Sequence, residues 1–158
     1  MTKRAPLASG ATCRYLHSTV GRLYQIAKLR YNRPTMDVND FDRFVDEALH
    51  DLPAVFRDRL DNLAIVVEDW PDRQTMRVAG VRRPDDLLGF YHGVPLTKRT
   101  QDYNMVTPDK ISIYRSPILM HCRRTGEDVR AAVQHVLRHE VAHFFGIDDD
   151  RLEELGAY

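Results

Sequence analysis

The sequence predicts one domain of the α+β class, in which helices pack on a small mixed sheet. Apolar residues recur at helical spacing over residues 41–52 and 128–145. Three shorter runs, residues 63–67, 87–91 and 111–115, are rich in the β-branched and aromatic side chains that favour strands. At 158 residues and 43% hydrophobic, the chain is long and apolar enough to build a single core.

The elements of the first half are predicted from capping residues and periodicity. Asn39 or Asp40 is the expected N-cap of the first helix. The apolar face of that helix consists of Phe41, Phe44, Val45, Ala48, Leu49 and Leu52. Pro53 suits the first turn of a second, short helix that extends to Leu60. Residues 70–86, rich in Pro, Asp and Arg, are predicted to form a loop.

The last long helix, predicted over residues 128–145, has the strongest pattern. Its apolar positions are Val129, Ala132, Val133, Val136, Leu137 and Val141. Glu127 and Asp128 stand at its start, where acidic side chains favour the positive end of the helix dipole. Residues 139–149, which cover its last turns and the segment after it, read H-E-x-x-H-x-x-G-x-x-D.

This motif predicts a metal site with its own catalytic base. Residues four apart project from one face of a helix, so the imidazoles of His139 and His143 can converge on one cation. Glu140 points away from that axis, which suits a carboxylate that takes a proton from metal-bound water. Gly146 can end the helix in the left-handed conformation and turn Asp149 back toward the histidines. Two nitrogen ligands and one oxygen leave a fourth position for water, as in catalytic zinc sites.

His135 lies one turn before His139, so three histidines follow one side of the helix. The helix rise places His135 too far from His143 to complete the same set of ligands. We therefore exclude it from the ligands and expect an ordinary exposed or half-buried histidine.

The ending HEVAHFFGIDDDRLEELG resembles the small bacterial zincin-like metallopeptidase family. The resemblance extends back through FDRFVDEALHDLP, LAIVVEDWP, LLGFYHGVPLTKR and PDKISIYRSPIL. It implies Zn²⁺ held by His139, His143 and Asp149, with Glu140 as the general base. It also implies a minimal zincin-like domain over residues 37–158, whose small mixed sheet packs on the N-terminal amphipathic helix and on the HExxH helix.

The chain departs from the larger metzincins, which carry a methionine-containing turn beneath the metal. The last methionine, Met120, precedes the motif, and nine residues follow Asp149. We therefore expect the ligands to be supported by a short closing helix over residues 152–155 or by Tyr158. Tyr158 is interpreted either as a floor or phenol donor for the site or as a surface terminus.

Three aromatic residues, Phe56, Phe90 and Phe144, are expected in the core rather than in a substrate pocket. Zincins resemble one another in presenting an edge strand to which an extended peptide adds, and residues 111–115 are the candidate strand. Trp70 is a candidate wall of the cleft.

Asp69 and Asp72, the acidic residues near Trp70, are equally well interpreted as part of a solvated face.

Two functional classes are then open for the chain as a whole. The first is a zinc-dependent peptidase acting on a peptide or protein, and the second is a non-catalytic zinc-binding interaction module derived from a peptidase. The sequence leaves the substrate and the oligomeric state open.

Residues 1–36 differ from the rest in charge, with seven Lys or Arg and no acidic residue against 16 basic and 23 acidic residues in the remainder. This basic leader is expected to be either disordered or a single amphipathic helix, which the helical spacing of Leu16, Val20, Leu23 and Ala27 allows. The leader is interpreted as a mitochondrial-type presequence, as a basic arm, or as an extension without a task. A basic arm would dock on an acidic partner or on nucleic acid, and it is the one route by which nucleic acid becomes a partner, with Tyr15, Tyr24 and Tyr31 available for stacking.

The two cysteines, Cys13 and Cys122, do not make a disulfide framework, which favours a reducing compartment. No apolar run approaches the length of a membrane span, so a membrane is not an expected partner. We therefore expect a cytoplasmic protein, or an organellar one if residues 1–36 act as a presequence.

Overall fold

The computed structural model describes residues 15–17, 23–25, 38–99 and 108–155. Helices and strands are mixed along these residues, as an α+β class predicts. The helices are α1 Val38–His50, α2 Ala54–Arg57, α3 Arg73–Val78, α4 Arg115–Thr125, α5 Val129–Phe144 and α6 Asp149–Glu154. The strands are β1 Tyr15–His17, β2 Leu23–Gln25, β3 Leu63–Glu68, β4 Gly89–His92 and β5 Asp109–Tyr114. Short 3-10 turns occupy Pro84–Asp86 and Leu96–Lys98.

The main sheet has three strands in the order β3, β5, β4. Strand β5 runs parallel to β3, with Ile111 opposite Ile65, and antiparallel to β4, with Ile111 opposite Tyr91. The prediction that residues 111–115 form an edge strand is therefore wrong, because β5 is hydrogen-bonded on both sides. Among the described residues, the outer edges of this sheet belong to β3 and β4.

The core lies between one face of this sheet and the helices α1 and α5, which pack on each other. Ile111 and Ile113 alternate with polar positions along β5 and are fully buried on this face. The predicted apolar faces of α1 and α5 are confirmed by the burial of Phe41, Val45, Ala48, Leu49, Leu52, Ala132, Val133, Val136, Leu137 and Val141. Removing these faces from water is what holds α5, and the motif on it, against the sheet.

Several boundaries and burial predictions in the first half were wrong. Helix α1 begins at Val38, so Asn39 and Asp40 lie inside it and are not its N-cap. Helix α2 ends at Arg57 instead of continuing to Leu60. Phe56 is 40% exposed and packs edge-on against Phe145, whereas Phe144 is buried as predicted and Phe90 is half-buried.

The predicted loop 70–86 contains helix α3, because Asp72 provides an N-cap that the sequence analysis did not use. Its carboxylate accepts a hydrogen bond from the backbone N–H of Thr75 at 2.7 Å, which also lowers the pKa of Asp72. Asp69 forms an ion pair with the buried guanidinium of Arg115 at the start of α4, a helix that was not predicted. Both acidic residues therefore have structural partners and are not simply a solvated face.

The leader contains two short strands in the part that the structure describes. Strands β1 and β2 pair antiparallel, with Leu16 opposite Tyr24 and His17 opposite Leu23. At Leu16 and Leu23, where the spacing allowed an amphipathic helix, backbone groups pair across strands instead of along a helix. Cys13, Val20 and Ala27 lie outside the described residues. Within the described ranges, none of the helices has the length and apolar character needed to cross a bilayer.

Candidate metal centre

Helix α5 brings the two motif histidines together on one face. Their Nε2 atoms are 2.9 Å apart, and their rings are nearly perpendicular, with centroids separated by 4.4 Å. Both side chains are about three-quarters buried, with exposed fractions of 22% and 25%. The spacing of four residues produces this approach, because one turn of the helix stacks the second side chain above the first.

Helix α5 ends at Phe144, and Gly146 follows it in a hydrogen-bonded turn of the Schellman type. Gly146 has φ +85° and donates its backbone N–H to the carbonyl of His143 at 2.9 Å. The next residue, Ile147, donates to the carbonyl of Ala142 at 3.0 Å. These two bonds satisfy the last carbonyls of the helix and reverse the chain. A Cβ at position 146 would also overlap the side chain of Thr97, so two separate constraints require glycine.

The reversed chain places one of three consecutive aspartates against the histidines. Asp148 is the N-cap of α6, and its carboxylate accepts the backbone N–H of Arg151 at 3.0 Å. Asp149 is the first helical residue, and its Oδ1 lies 3.3 Å from Nε2 of both His139 and His143. The cap therefore commits Asp148 to the helix and turns Asp149 toward the site.

The three candidate ligand atoms have separations that fit a single tetrahedral cation. Ligands that lie about 2.0–2.1 Å from such an ion are about 3.3 Å from one another, close to the separations of 2.9, 3.3 and 3.3 Å seen here. His143 Nδ1 lies 2.9 Å from the Ile147 carbonyl, which can only accept, so Nδ1 carries the proton and Nε2 presents its lone pair. The Asp149 side chain is 70% exposed, so the centre opens to solvent on that side. This donor set of two nitrogens and one oxygen is the kind that holds a catalytic zinc.

Glu140 is the buried carboxyl group beside this centre. It is 6% exposed, and burial raises its pKa to about 8, whereas a hydrogen bond from the backbone N–H of Tyr91 acts in the opposite direction. The carboxyl group lies against β4 because Gly89 has no side chain. A Cβ there would come within 2.7 Å of Val136 Cγ1 and 2.9 Å of Glu140 Oε1.

Burial lowers the pKa of His139, and the neighbouring His143 lowers the pKa of His139 further. A lowered pKa keeps the imidazole neutral, which is the form that binds a metal. His135, one turn earlier, is exposed and does not belong to the cluster that His139, His143 and Asp149 form.

Comparison with known proteins assigns the family. A family model described as zincin-like metallopeptidase matches residues 60–157, which is more than half of the chain. The chain belongs to the zincin-like metallopeptidase family. At the level of the family, the match supports a zinc peptidase, and it covers both histidines, Glu140 and Asp149. A search of curated proteins found no match.

The family match starts at Leu60, later than the resemblance described above, which begins near residue 39. It includes β3, β5, β4 and every helix from α3 to α6, and therefore the whole sheet that supports the centre. Helix α1 lies before the match but contributes Phe41, Val45, Ala48 and Leu49 to the core that packs against α5.

Four residues that shape the centre were not predicted from the sequence: Thr97, Gly89, Tyr91 and Ile147. Gly89 had a usable signal, because a glycine inside a strand often marks the close approach of another element. Ile147 contacts its near neighbours Ala142 and His143 through its backbone, whereas Thr97 and Tyr91 act through tertiary contacts that no local pattern encodes. Tyr158 lies outside the described residues, and Met120 is 43% exposed on α4.

On the flank of α5 turned away from Glu140, an apolar pocket of about 290 Å³ lies between α5 and the α1–α2 corner. Phe56, Val141, Phe145 and Ile147 contribute to its lining. The pocket explains why Phe56 is partly exposed, because its ring forms one wall.

Proposed function

We propose that this chain is a zinc-dependent peptidase in which His139, His143 and Asp149 hold the ion. The observation that carries the proposal is the set of three ligand atoms, 2.9–3.3 Å apart, beside the buried carboxyl group of Glu140. A non-catalytic zinc-binding module would need the three ligands but has no use for a buried carboxyl group next to them. The family match supports a peptidase over such a module.

Bound zinc would supply a Lewis acid that makes water more acidic and polarises the scissile carbonyl. Glu140 would accept a proton from the attacking water and deliver it to the amine that leaves. A carboxyl group in a dry setting suits both steps, because burial brings its pKa toward neutrality and lets it bind and release a proton near pH 7.

Strand β4 is the proposed binding edge for an extended substrate, in place of residues 111–115. Tyr114 donates its backbone N–H to the Leu88 carbonyl at 2.9 Å. Hydrogen-bonded and non-bonded pairs alternate along an antiparallel ladder, so Gly89 and Tyr91 direct their backbone groups away from β5. Glu140 lies at this same edge, where a peptide added to β4 would pass the centre.

The test is metal analysis and peptide-library turnover on the full chain. Wild-type protein is expected to hold one zinc per chain and to cleave at least one sequence. Glu140→Gln should retain the zinc and lose at least about a hundredfold in kcat. His143→Ala and Asp149→Ala should lose zinc. His135→Ala is the matched control, since it removes an exposed histidine from the same helix, and it should change neither property.

Two results would contradict the proposal. Full activity in Glu140→Gln would exclude the carboxyl group as the base. Zinc bound by wild-type protein without cleavage of any library member would favour the non-catalytic interaction module.

A further inference from the structure

Tyr91 connects the candidate base to the interior of the domain through three contacts. Its backbone N–H lies close enough to the carboxyl group of Glu140 to lower the pKa of that group. Its ring packs edge-on against Phe144, with centroids 5.9 Å apart and an interplanar angle of 89°. Its hydroxyl group donates to Oδ2 of Asp109 at 2.7 Å. One residue of β4 therefore contacts α5 twice and the start of β5 once.

Asp109 is an almost fully buried carboxylate, 3% exposed, whose charge is balanced by Arg99. The Arg99 guanidinium donates to the same Oδ2 and, through Nε, to the Val94 carbonyl at 2.9 Å. It also lies over the Phe144 ring, 5.0 Å from the centroid. A buried carboxylate with two donors is costly to disturb, because loss of either donor leaves its charge less compensated.

The hydroxyl–carboxylate pair has little room to rearrange. A Cβ on Gly93 would overlap the Tyr91 hydroxyl group and would come within 2.6 Å of the Asp109 carboxyl carbon. Burial and the nearby Asp109 raise the pKa of Tyr91, so its hydroxyl group stays protonated and remains a donor. The tyrosine ring is thus clamped at its far end, while its backbone faces the centre.

We propose that Tyr91 is a positioning residue for Glu140, clamped by Asp109 and Arg99 so that its backbone N–H fixes the carboxyl group at the edge of β4. The proposal rests on the proposed peptidase function. Proton transfer depends steeply on the placement of the base, and a displacement of about 1 Å can cost about a hundredfold in rate. The Tyr91 side chain, Asp109 and Arg99 touch neither the ligand atoms nor substrate in this scheme. They act through Glu140.

The kinetic test compares Tyr91→Phe with Tyr114→Phe. Tyr114 is a fully buried tyrosine on the neighbouring strand, so it is a matched control. Tyr91→Phe should keep one zinc per chain and lose about tenfold in kcat, with KM within about twofold of wild type. Asp109→Asn should resemble it, whereas Tyr114→Phe should have wild-type kinetics.

Amide hydrogen exchange measured by NMR provides a readout that does not depend on turnover. The amide of residue 91 should be protected in wild-type protein, although it lies on the outer edge of the sheet. It should exchange about tenfold faster in both Tyr91→Phe and Glu140→Ala, while the amides of β5 keep their protection. A general loss of packing would instead accelerate β4 and β5 together and leave kcat per folded molecule unchanged, which would overturn the inference.

The two proposals can fail separately. If wild-type protein cleaves no peptide, the peptidase proposal fails, and the exchange measurements still decide whether Tyr91 holds Glu140. If wild-type protein is active but Tyr91→Phe matches it in kcat or in exchange at residue 91, the positioning role is wrong.

Discussion

Replacing Gly146 by alanine should separate the two constraints that act at the end of α5. The first is conformational, because φ is +85° and an L-residue in the left-handed region costs about 1–2 kcal/mol. The second is steric, because a Cβ at this position overlaps the side chain of Thr97. Overpacking of this kind typically costs about 1–3 kcal/mol. The sum for Gly146→Ala is a loss of about 2–5 kcal/mol in the free energy of unfolding.

Gly126 provides the matched control. It also follows a helix, has φ +80°, and its Cβ would meet nothing within 4 Å. Gly126→Ala should therefore lose only the conformational part, about 1–2 kcal/mol. Urea unfolding of both variants in the presence of a chelator gives the two losses without a contribution from metal. Zinc titration then tests the site, and only Gly146→Ala should bind more weakly, by at least about tenfold, because its turn positions Asp149.

Equal losses of stability in the two variants would show that Thr97 does not confine position 146. Wild-type zinc affinity in Gly146→Ala would refute the stronger claim that this turn sets the third ligand. Combining Gly146→Ala with Thr97→Gly should recover the steric part of the loss and leave the conformational part.

Two further predictions concern β4. Gly89→Ala places a methyl group against Val136 and Glu140, so it should lower the free energy of unfolding by about 1–3 kcal/mol, as measured by urea unfolding. It should also reduce turnover without loss of zinc, as measured by kinetics and metal analysis. A fully active variant would contradict the close approach of Glu140 to Gly89. Burial lowers the pKa of His92, so protonation is harder in the folded state than in the unfolded state, and stability should decrease as pH falls below about 6.5. Thermal unfolding from pH 7.5 to 5.5 with a chelator should show a shallower pH dependence in His92→Gln, and an unchanged slope would assign the effect to other groups.

The elements predicted well are those whose signal is contained in a short stretch of sequence. Helix α5 was expected over residues 128–145 and extends from Val129 to Phe144. Gly146 was expected to end it in the left-handed conformation, and does so. The pairing of His139 and His143 follows from helical spacing alone, which is why it could be anticipated without knowledge of any distant contact.

Two of the errors concern features that depend on partners far apart in sequence. Residues 111–115 have the composition of a strand, but composition does not say whether one neighbour or two will pair with it. Phe56 was expected in the core because large aromatic side chains are often buried, yet α2 places it at the rim of a pocket. Helix α3 was missed although its N-cap, Asp72, is a local signal.

The sequence by itself determined the candidate ligand types, their spacing, the candidate base and the turn that follows α5, because all lie within eleven consecutive residues governed by local backbone geometry. Only the tertiary structure decided that β4 is the strand beside Glu140, that Tyr91 contacts Glu140, and that the Thr97 side chain packs against Gly146. These contacts join residues 49 positions apart in sequence, and they exist because the sheet and α5 bury their apolar faces against each other.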